Sequence, residues 1–253
     1  MVNIMPEKIP EKEKGVTAVD RALTIIESFR DGESSLSLQE LSSRTGLHKA
    51  TIIRLIASLE RFGYMARTAP GTYALGSAFL RFGSLYQSSL QLSDHVVPVL
   101  RDLARRVGES AAFYIRDGDM RICLYKVEST SALRSHQREG DRRPLLPGGT
   151  GKALLAFSDD GHDGSAELVE VRKKYFARNK GERDPELSSI ATPIFTTGNT
   201  LAGAMSLSGP NAHFTDKKIQ ELTPPLLEAA AHLTQQLGGN PSPFYERLGK
   251  SAA

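Results

Sequence analysis

Cysteine occurs once in the chain, at Cys123. A single thiol excludes an intrachain disulfide framework and any cysteine-based zinc site, and it accords with a reducing compartment. Within the apolar string ICLY, Cys123 reads as a small core residue rather than a nucleophile. Long apolar runs are also missing: none approaches the roughly 18 residues that a membrane-crossing helix needs. The opening MVNIMPEKIPEKEKG is charged and has no apolar signal core, so the expected location is the cytoplasm, with no membrane partner. Charge of one sign is scarce, because 32 Lys+Arg against 29 Asp+Glu leave +3, too little to imply a nucleic-acid partner by itself. Internal repeats and low-complexity tracts are absent, and 40% hydrophobic with 24% charged residues excludes disordered and fibrous classes.

What is there fits two compact units, as expected for 253 residues. Residues 1–15 mix Pro, Lys and Glu without periodicity and read as a flexible arm. Helical spacing begins at Thr17, with Val19, Ala22, Leu23, Ile26 and Phe29 as its apolar stripe and Asp31-Gly32 as its stop. A second helix runs from Ser37 to Thr45, with Ser37 and Glu40 as a capping box, Leu36 stapled on Leu41, and Gly46 as its stop. A third runs to about Arg61 on the stripe Ile52, Leu55, Ile56 and Leu59. GYMARTAPGTYALG then reads as a hairpin around Ala69-Pro70-Gly71. Three helices and a hairpin, two of the helices joined by a tight glycine turn, give the winged helix-turn-helix order over residues 16–76.

A linker helix is expected over residues 77–93, an effector-type domain over 94–240 and a tail over 241–253. In that second domain SAAFYIR and MRICLYKV flank the turn Asp117-Gly118-Asp119. Further strands are predicted near 131–138, 188–196 and 200–208, and helices at 149–158, 165–176 and 215–237. The class is α+β with a largely antiparallel sheet.

Wrapping the third helix at 100° per residue groups Thr51, Arg54, Ser58 and Arg61 opposite its apolar stripe. His48, Lys49 and Thr51 stand at its N-terminal end, where helix-turn-helix proteins meet base edges, and Arg67 on the hairpin is placed for a backbone contact. A lone basic helix face would read as solvated surface; the ordered set of capped helix, glycine turn, basic helix and hairpin reads as a double-stranded DNA site.

The stretches AVDRALTIIESF, SLSLQELSSRTGLHKATIIRLIASLERFGYMAR and GTYALG resemble the DNA-binding domain of the IclR-type (isocitrate lyase regulator) family, and the resemblance continues in LLPGGTGKALLAF and SSIATPIFTTGNTLAGAMSLSGP. It implies a transcription regulator with a GAF-like effector domain, acting as a dimer or dimer of dimers on palindromic operators. It also implies a small-molecule effector, a small organic acid or aromatic catabolite. The family's effector positions fall here on Gly149, Thr150, Asn179, Ser189, Ser206 and Ser208; some members carry an acid in place of Asn179 and a cysteine in place of Ser189.

The residues themselves bear on that site. PGGTGKALLAF fails as a phosphate loop, because Leu146 and Ala153 stand where Gly and Ser or Thr are needed, and fails as a dinucleotide fingerprint at Leu154. It remains a glycine-rich turn opening a helix, whose N–H groups favour a carboxylate. On AMSLSG, Ser206 and Ser208 share one strand face and Met205 and Leu207 the other. Asp159, Asp160, His162 and Asp163 read as a solvated loop rather than a metal site, and His95, His136, His213 and His232 accompany no nucleophile motif. No catalytic residue, metal or cofactor is expected. The rival reading is a ligand-binding hydrolase or isomerase whose N-terminal domain makes protein contacts.

Overall fold

The computed structural model describes residues 15–30, 32–89, 92–129, 137–158, 165–182 and 184–250. Nearly all of the expected flexible arm lies outside these, as do most of the expected strand at 131–138, the Asp159–Asp163 loop and His136. The chain divides into two units, Met1–Ser89 and Leu90–Ala253.

In the first unit α1 (Thr17–Glu27), α2 (Leu38–Thr45) and α3 (Lys49–Arg61) surround a core of Ile25, Leu36, Leu41, Ile52, Ile56 and Leu59. The α2 boundaries follow from local chemistry. Ser37 Oγ accepts from the Glu40 N–H, the Glu40 carboxylate accepts from the Ser37 N–H at 2.8 Å, and Gly46 closes the helix at φ 70°. The turn to α3 needs that left-handed residue, which glycine adopts at little steric cost. The hairpin forms as β2 (Met65–Ala69) and β3 (Thr72–Leu75), and β1 (Leu36–Ser37) joins it in the order β1-β3-β2. In α1 the expected stripe is corrected in part: Ala22, Ile26 and Phe29 pack against the core beside the fully buried Ile25, while Val19 and Leu23 are 54% and 52% exposed. Periodicity locates an apolar face but not what covers it. The linker helix is α4 (Ala78–Ser89). Phe79 and Phe82 of α4 hold Tyr64 edge-on and stacked, at 5.5 and 5.8 Å between ring centroids.

The second unit opens with α5 (Ser93–Val107) and continues with β4 (Ser110–Asp117), β5 (Met120–Val127) and β6 (Arg142–Pro144). It goes on through α6 (Gly149–Ala156), α7 (Ala166–Lys174), β7 (Ala177–Lys180), β8 (Leu187–Thr196), β9 (Thr200–Pro210), α8 (Asp216–Gln236) and α9 (Ser242–Arg247). The strands make one antiparallel sheet in the order β6-β5-β4-β9-β8-β7. One face carries Phe113, Ile190, Met205 and Leu207 into a core shared with Leu100 and Leu103 of α5 and Leu226 and Ala230 of α8. The other carries small residues, Ala112, Ala177, Ala191 and Ala204, beneath Ala153 and Leu154 of α6. Small side chains there let a helix approach the sheet closely. The expected C-terminal tail is corrected in part: α9 lies within it and buries Phe244 completely. That ring packs against Tyr175, with centroids 5.1 Å apart.

Candidate DNA-binding face and ligand cavity

On α3 the apolar side is buried through Ile52, Ile56 and Leu59, with Leu55 partly so. The opposite side presents Lys49, Arg54, Ser58 and Arg61 to solvent, with His48 exposed at the N-cap and Thr51 partly exposed. His48 uses its backbone carbonyl to accept from Thr51 and Ile52 at 2.9 and 3.1 Å, and no side chain caps the helix. An N-terminus without a side-chain cap keeps its positive end open to an anion such as a DNA phosphate. Arg61 leans over the Phe62 ring at 5.1 Å. Arg67, on β2, lies 5.4 Å over the Tyr73 ring and 4.0 Å from the Glu60 carboxylate. These neighbours orient the two guanidiniums and leave both exposed. The nearby Arg44 is committed elsewhere, to a two-pronged pair with Glu33 at 2.6 and 2.8 Å and to the Ser28 carbonyl. The Arg44 hydrogen bond lowers the Glu33 pKa to about 2. This pair therefore ties α2 to the segment after α1 and adds no charge to the exposed face.

In the second unit Gly149, Thr150, Asn179, Ser189, Ser206 and Ser208 all line one cavity of about 370 Å³. They come from four elements, and strand register accounts for their meeting. Asn179 is paired with Ser189, and Ser189 with Ser208, so the three form a row across β7, β8 and β9. Two residues along, Ala177, Ala191, Ser206 and Ala112 form the next row. Directly paired residues of antiparallel strands face the same side. A polar row thus borders the alanine floor on which α6 sits. Helix α6 comes close: a Cβ on Gly149 would lie 3.3 Å from the backbone of Arg178 and Asn179. A Cβ on Gly151 would lie 1.5 Å from the Leu145 carbonyl oxygen. These glycines are needed for space, which a reading of the turn as an anion cradle alone misses.

Sequence reasoning also missed Tyr114, Arg121, Gln137, Arg143 and Asp184, which line the same cavity. The signal for Arg121 was present: a charged residue inside the apolar strand MRICLYKV. Its side chain is 6% exposed and donates to the Pro144 and Leu145 carbonyls at 3.0 and 2.5 Å. Tyr114 donates to Gln137 Oε1 at 2.9 Å, and burial holds its phenol well above the usual range. Asp184 stands exposed at the rim, its carboxylate accepting from the Glu186 N–H. Lys152, on α6, pairs with Glu167 at 2.7 Å and Glu182 at 2.6 Å. Burial works against its charge, but the two hydrogen-bonded carboxylates prevail and raise its pKa.

Residues 18–69 match the family model for the IclR helix-turn-helix domain, and residues 84–165 and 165–235 match that for the bacterial transcriptional regulator IclR C-terminal domain. The chain belongs to the IclR family. It is thus a DNA-binding transcription regulator, with the helix-turn-helix unit N-terminal to the antiparallel-sheet unit. The HTH-type transcriptional regulator BhcR of Paracoccus denitrificans is 30% identical over 248 residues, covering 88% of this chain and 88% of its own. KipR of Bacillus subtilis is 29% identical over 226 residues, covering 81% and 90%. An IclR homologue from Microbacterium hydrocarbonoxydans, solved with 4-hydroxybenzoate, shares the fold at a TM-score of 0.74 and 18% identity, covering 87% of this chain and 99% of its own.

Within the IclR frame, no helix among the described residues is long and apolar enough to cross a membrane. Cys123 is buried, and burial pushes its thiol up to about 12. His213 of the scattered histidines contacts Glu109 at 3.1 Å, and neither residue lines the cavity.

Proposed function

We propose that His48, Lys49, Thr51, Arg54, Ser58 and Arg61 hold operator DNA, with Arg67 of the hairpin on the phosphate backbone. A small organic acid or aromatic catabolite bound among Gly149, Thr150, Asn179, Ser189, Ser206 and Ser208 then alters that affinity. One observation carries the second half: six residues from four separate elements converge on a single cavity. A volume of about 370 Å³ lies in the range of small-molecule sites. The 4-hydroxybenzoate in the Microbacterium homologue supports an organic-acid ligand here. For the ligand to regulate, it must favour one arrangement of the DNA-binding units over another, since equal affinity for both shifts nothing.

The effector unit is read as GAF-like and the protein as cytoplasmic, acting without catalysis as its relatives' names as regulators support. It works as a homodimer or dimer of dimers on a palindrome, because one helix-turn-helix reads one half-site. Exposed apolar side chains on α1 (Val19 and Leu23) and on α4 (Leu80, Phe82 and Leu85) support self-association. A strictly monomeric species in light scattering that still binds DNA would refute it.

The test of ligand control uses a duplex selected from a random pool by the wild-type protein. Thr150→Val combined with Ser206→Ala is expected to abolish the effect of a binding acid on duplex affinity while leaving ligand-free affinity nearly unchanged. A double variant that responds at the wild-type ligand concentration would place the ligand elsewhere.

A further inference from the structure

The lining of the cavity carries information on its ligand. Arg121 of β5 and Arg143 of β6 are directly paired across the two strands, and both line the cavity. Two like charges in that position repel. The repulsion is relieved when an anion lies against both. The Pro144 and Leu145 carbonyls hold the Arg121 guanidinium, and Asp141 stands 3.7 Å from that of Arg143. The Arg121 guanidinium also lies 3.3 Å from where a Cβ on Gly148 would be, so the arginine pair and the start of α6 form one cationic end.

Away from that end the character changes. Among the described residues the hydroxyls of Thr150, Ser189, Ser206 and Ser208 have no hydrogen-bond partner within the protein. Thr150 and Ser206 are only 6% and 2% exposed. These hydroxyls open on the cavity rather than being sealed from it, and several such donors and acceptors around one cavity suit a ligand that offers several partners. The exposed carboxylate of Asp184 on the rim accepts hydroxyl donors and repels a second anionic group.

We propose that the ligand is a polyhydroxylated monocarboxylic acid of the sugar-acid class, its carboxylate against Arg121, Arg143 and the first turn of α6 and its hydroxyls on Thr150, Ser189, Ser206 and Ser208. The proposal rests on reading this cavity as the effector site and narrows it to one chemistry. Arg143 is the residue that selects for charge, and the serine row selects for hydroxyls.

Calorimetric titration of the full chain separates these contributions. The probes are D-gluconate, D-galactonate and D-glucuronate, with sorbitol (hydroxyls without charge), hexanoate (charge without hydroxyls) and 4-hydroxybenzoate as competitors. At least one sugar acid is expected to bind roughly tenfold or more tighter than every competitor, through a charge-assisted hydrogen bond that sorbitol lacks and more hydroxyl hydrogen bonds than the other two acids make. Arg143→Gln, on a half-exposed edge strand that tolerates it, is expected to remove most of the advantage over sorbitol, and Thr150→Val/Ser206→Ala most of the advantage over hexanoate. If hexanoate or 4-hydroxybenzoate binds as tightly as every sugar acid, and the Thr150→Val/Ser206→Ala protein loses that binding, the class is wrong and the cavity remains the site. Absence of heat with all three sugar acids at millimolar concentration also overturns the class. A sugar acid that binds the wild type and both variants equally overturns the site itself.

Discussion

Replacing Gly151 with alanine sets two opposing effects against each other, and the structure fixes which one wins. In the interior of a helix the change gains about 1 kcal/mol of intrinsic propensity. Against this, the new methyl carbon would stand 1.5 Å from the Leu145 carbonyl oxygen, 2.4 Å from its carbon and 2.9 Å from Arg121 Nη1. Two of these atoms are backbone, so rotation of a side chain cannot relieve the contact. Leu145 is itself buried, and its carbonyl accepts from Arg121 at 2.5 Å, so moving it also strains that bond. Overpacking costs about 1–3 kcal/mol, and weakening a hydrogen bond to a charged group adds about 1.5–3 kcal/mol. The net loss is about 1.5–5 kcal/mol, which for a unit of this size lowers the melting temperature by about 3–20 °C. Gly149→Ala is expected to lose less, because its tightest contacts are 3.3 Å and a few tenths of an ångström relieve them. Differential scanning calorimetry of the two variants beside the wild type is the assay. A Gly151→Ala protein as stable as the wild type, or more stable, would refute the close approach of α6 to the Leu145 loop.

Two further outcomes follow from buried ionisable groups. Cys123, with its thiol at about 12, is expected to resist alkylation by iodoacetamide at neutral pH until the chain unfolds; stoichiometric labelling of the native protein would contradict its burial. Burial raises the Glu109 pKa despite the opposing His213, and Oε2 of that carboxylate has no hydrogen-bond partner among the described residues. A raised carboxyl pKa favours folding below the unfolded value and loses that contribution as pH rises through the folded one. Glu109→Gln is therefore expected to melt higher than wild type at about pH 8, the difference shrinking as pH falls into the carboxylate range; a variant that melts lower at about pH 8 would reverse the sign.

Much of the fold was legible because its signals are local. The Ser37–Glu40 box, the left-handed Gly46 and the turn at Asp117-Gly118-Asp119 each need only a few neighbouring residues, and each stands where the sequence places it. The alternation of Met205 and Leu207 with Ser206 and Ser208 likewise identified the cavity side of β9. The failures are non-local. Strands β6 and β7 have three and four residues, too few to show alternation, and they exist because the sheet pairs with them. Helix α9 sits in a Gly- and Pro-rich stretch that reads as a tail; only the packing of Phe244 on Tyr175 reveals it. Val19 and Leu23 obey helical periodicity and yet stay exposed, since a sequence pattern does not distinguish an apolar face for the core from one for a partner. The cationic end of the cavity arises from a register match between Arg121 and Arg143, 22 positions apart in the chain, which no local motif records.

The most direct measurement is fluorescence anisotropy with Arg54→Ala, titrated at fixed salt on the duplex that the wild-type protein selects and on random DNA. Arg54 is exposed on α3 opposite its buried stripe, so its loss leaves the fold intact. If it reads a base, affinity for the selected duplex falls by about 1–3 kcal/mol, or about 5- to 150-fold, with a smaller loss on random DNA. Unchanged affinity for the selected duplex would contradict the assignment of α3 as the helix that reads the operator.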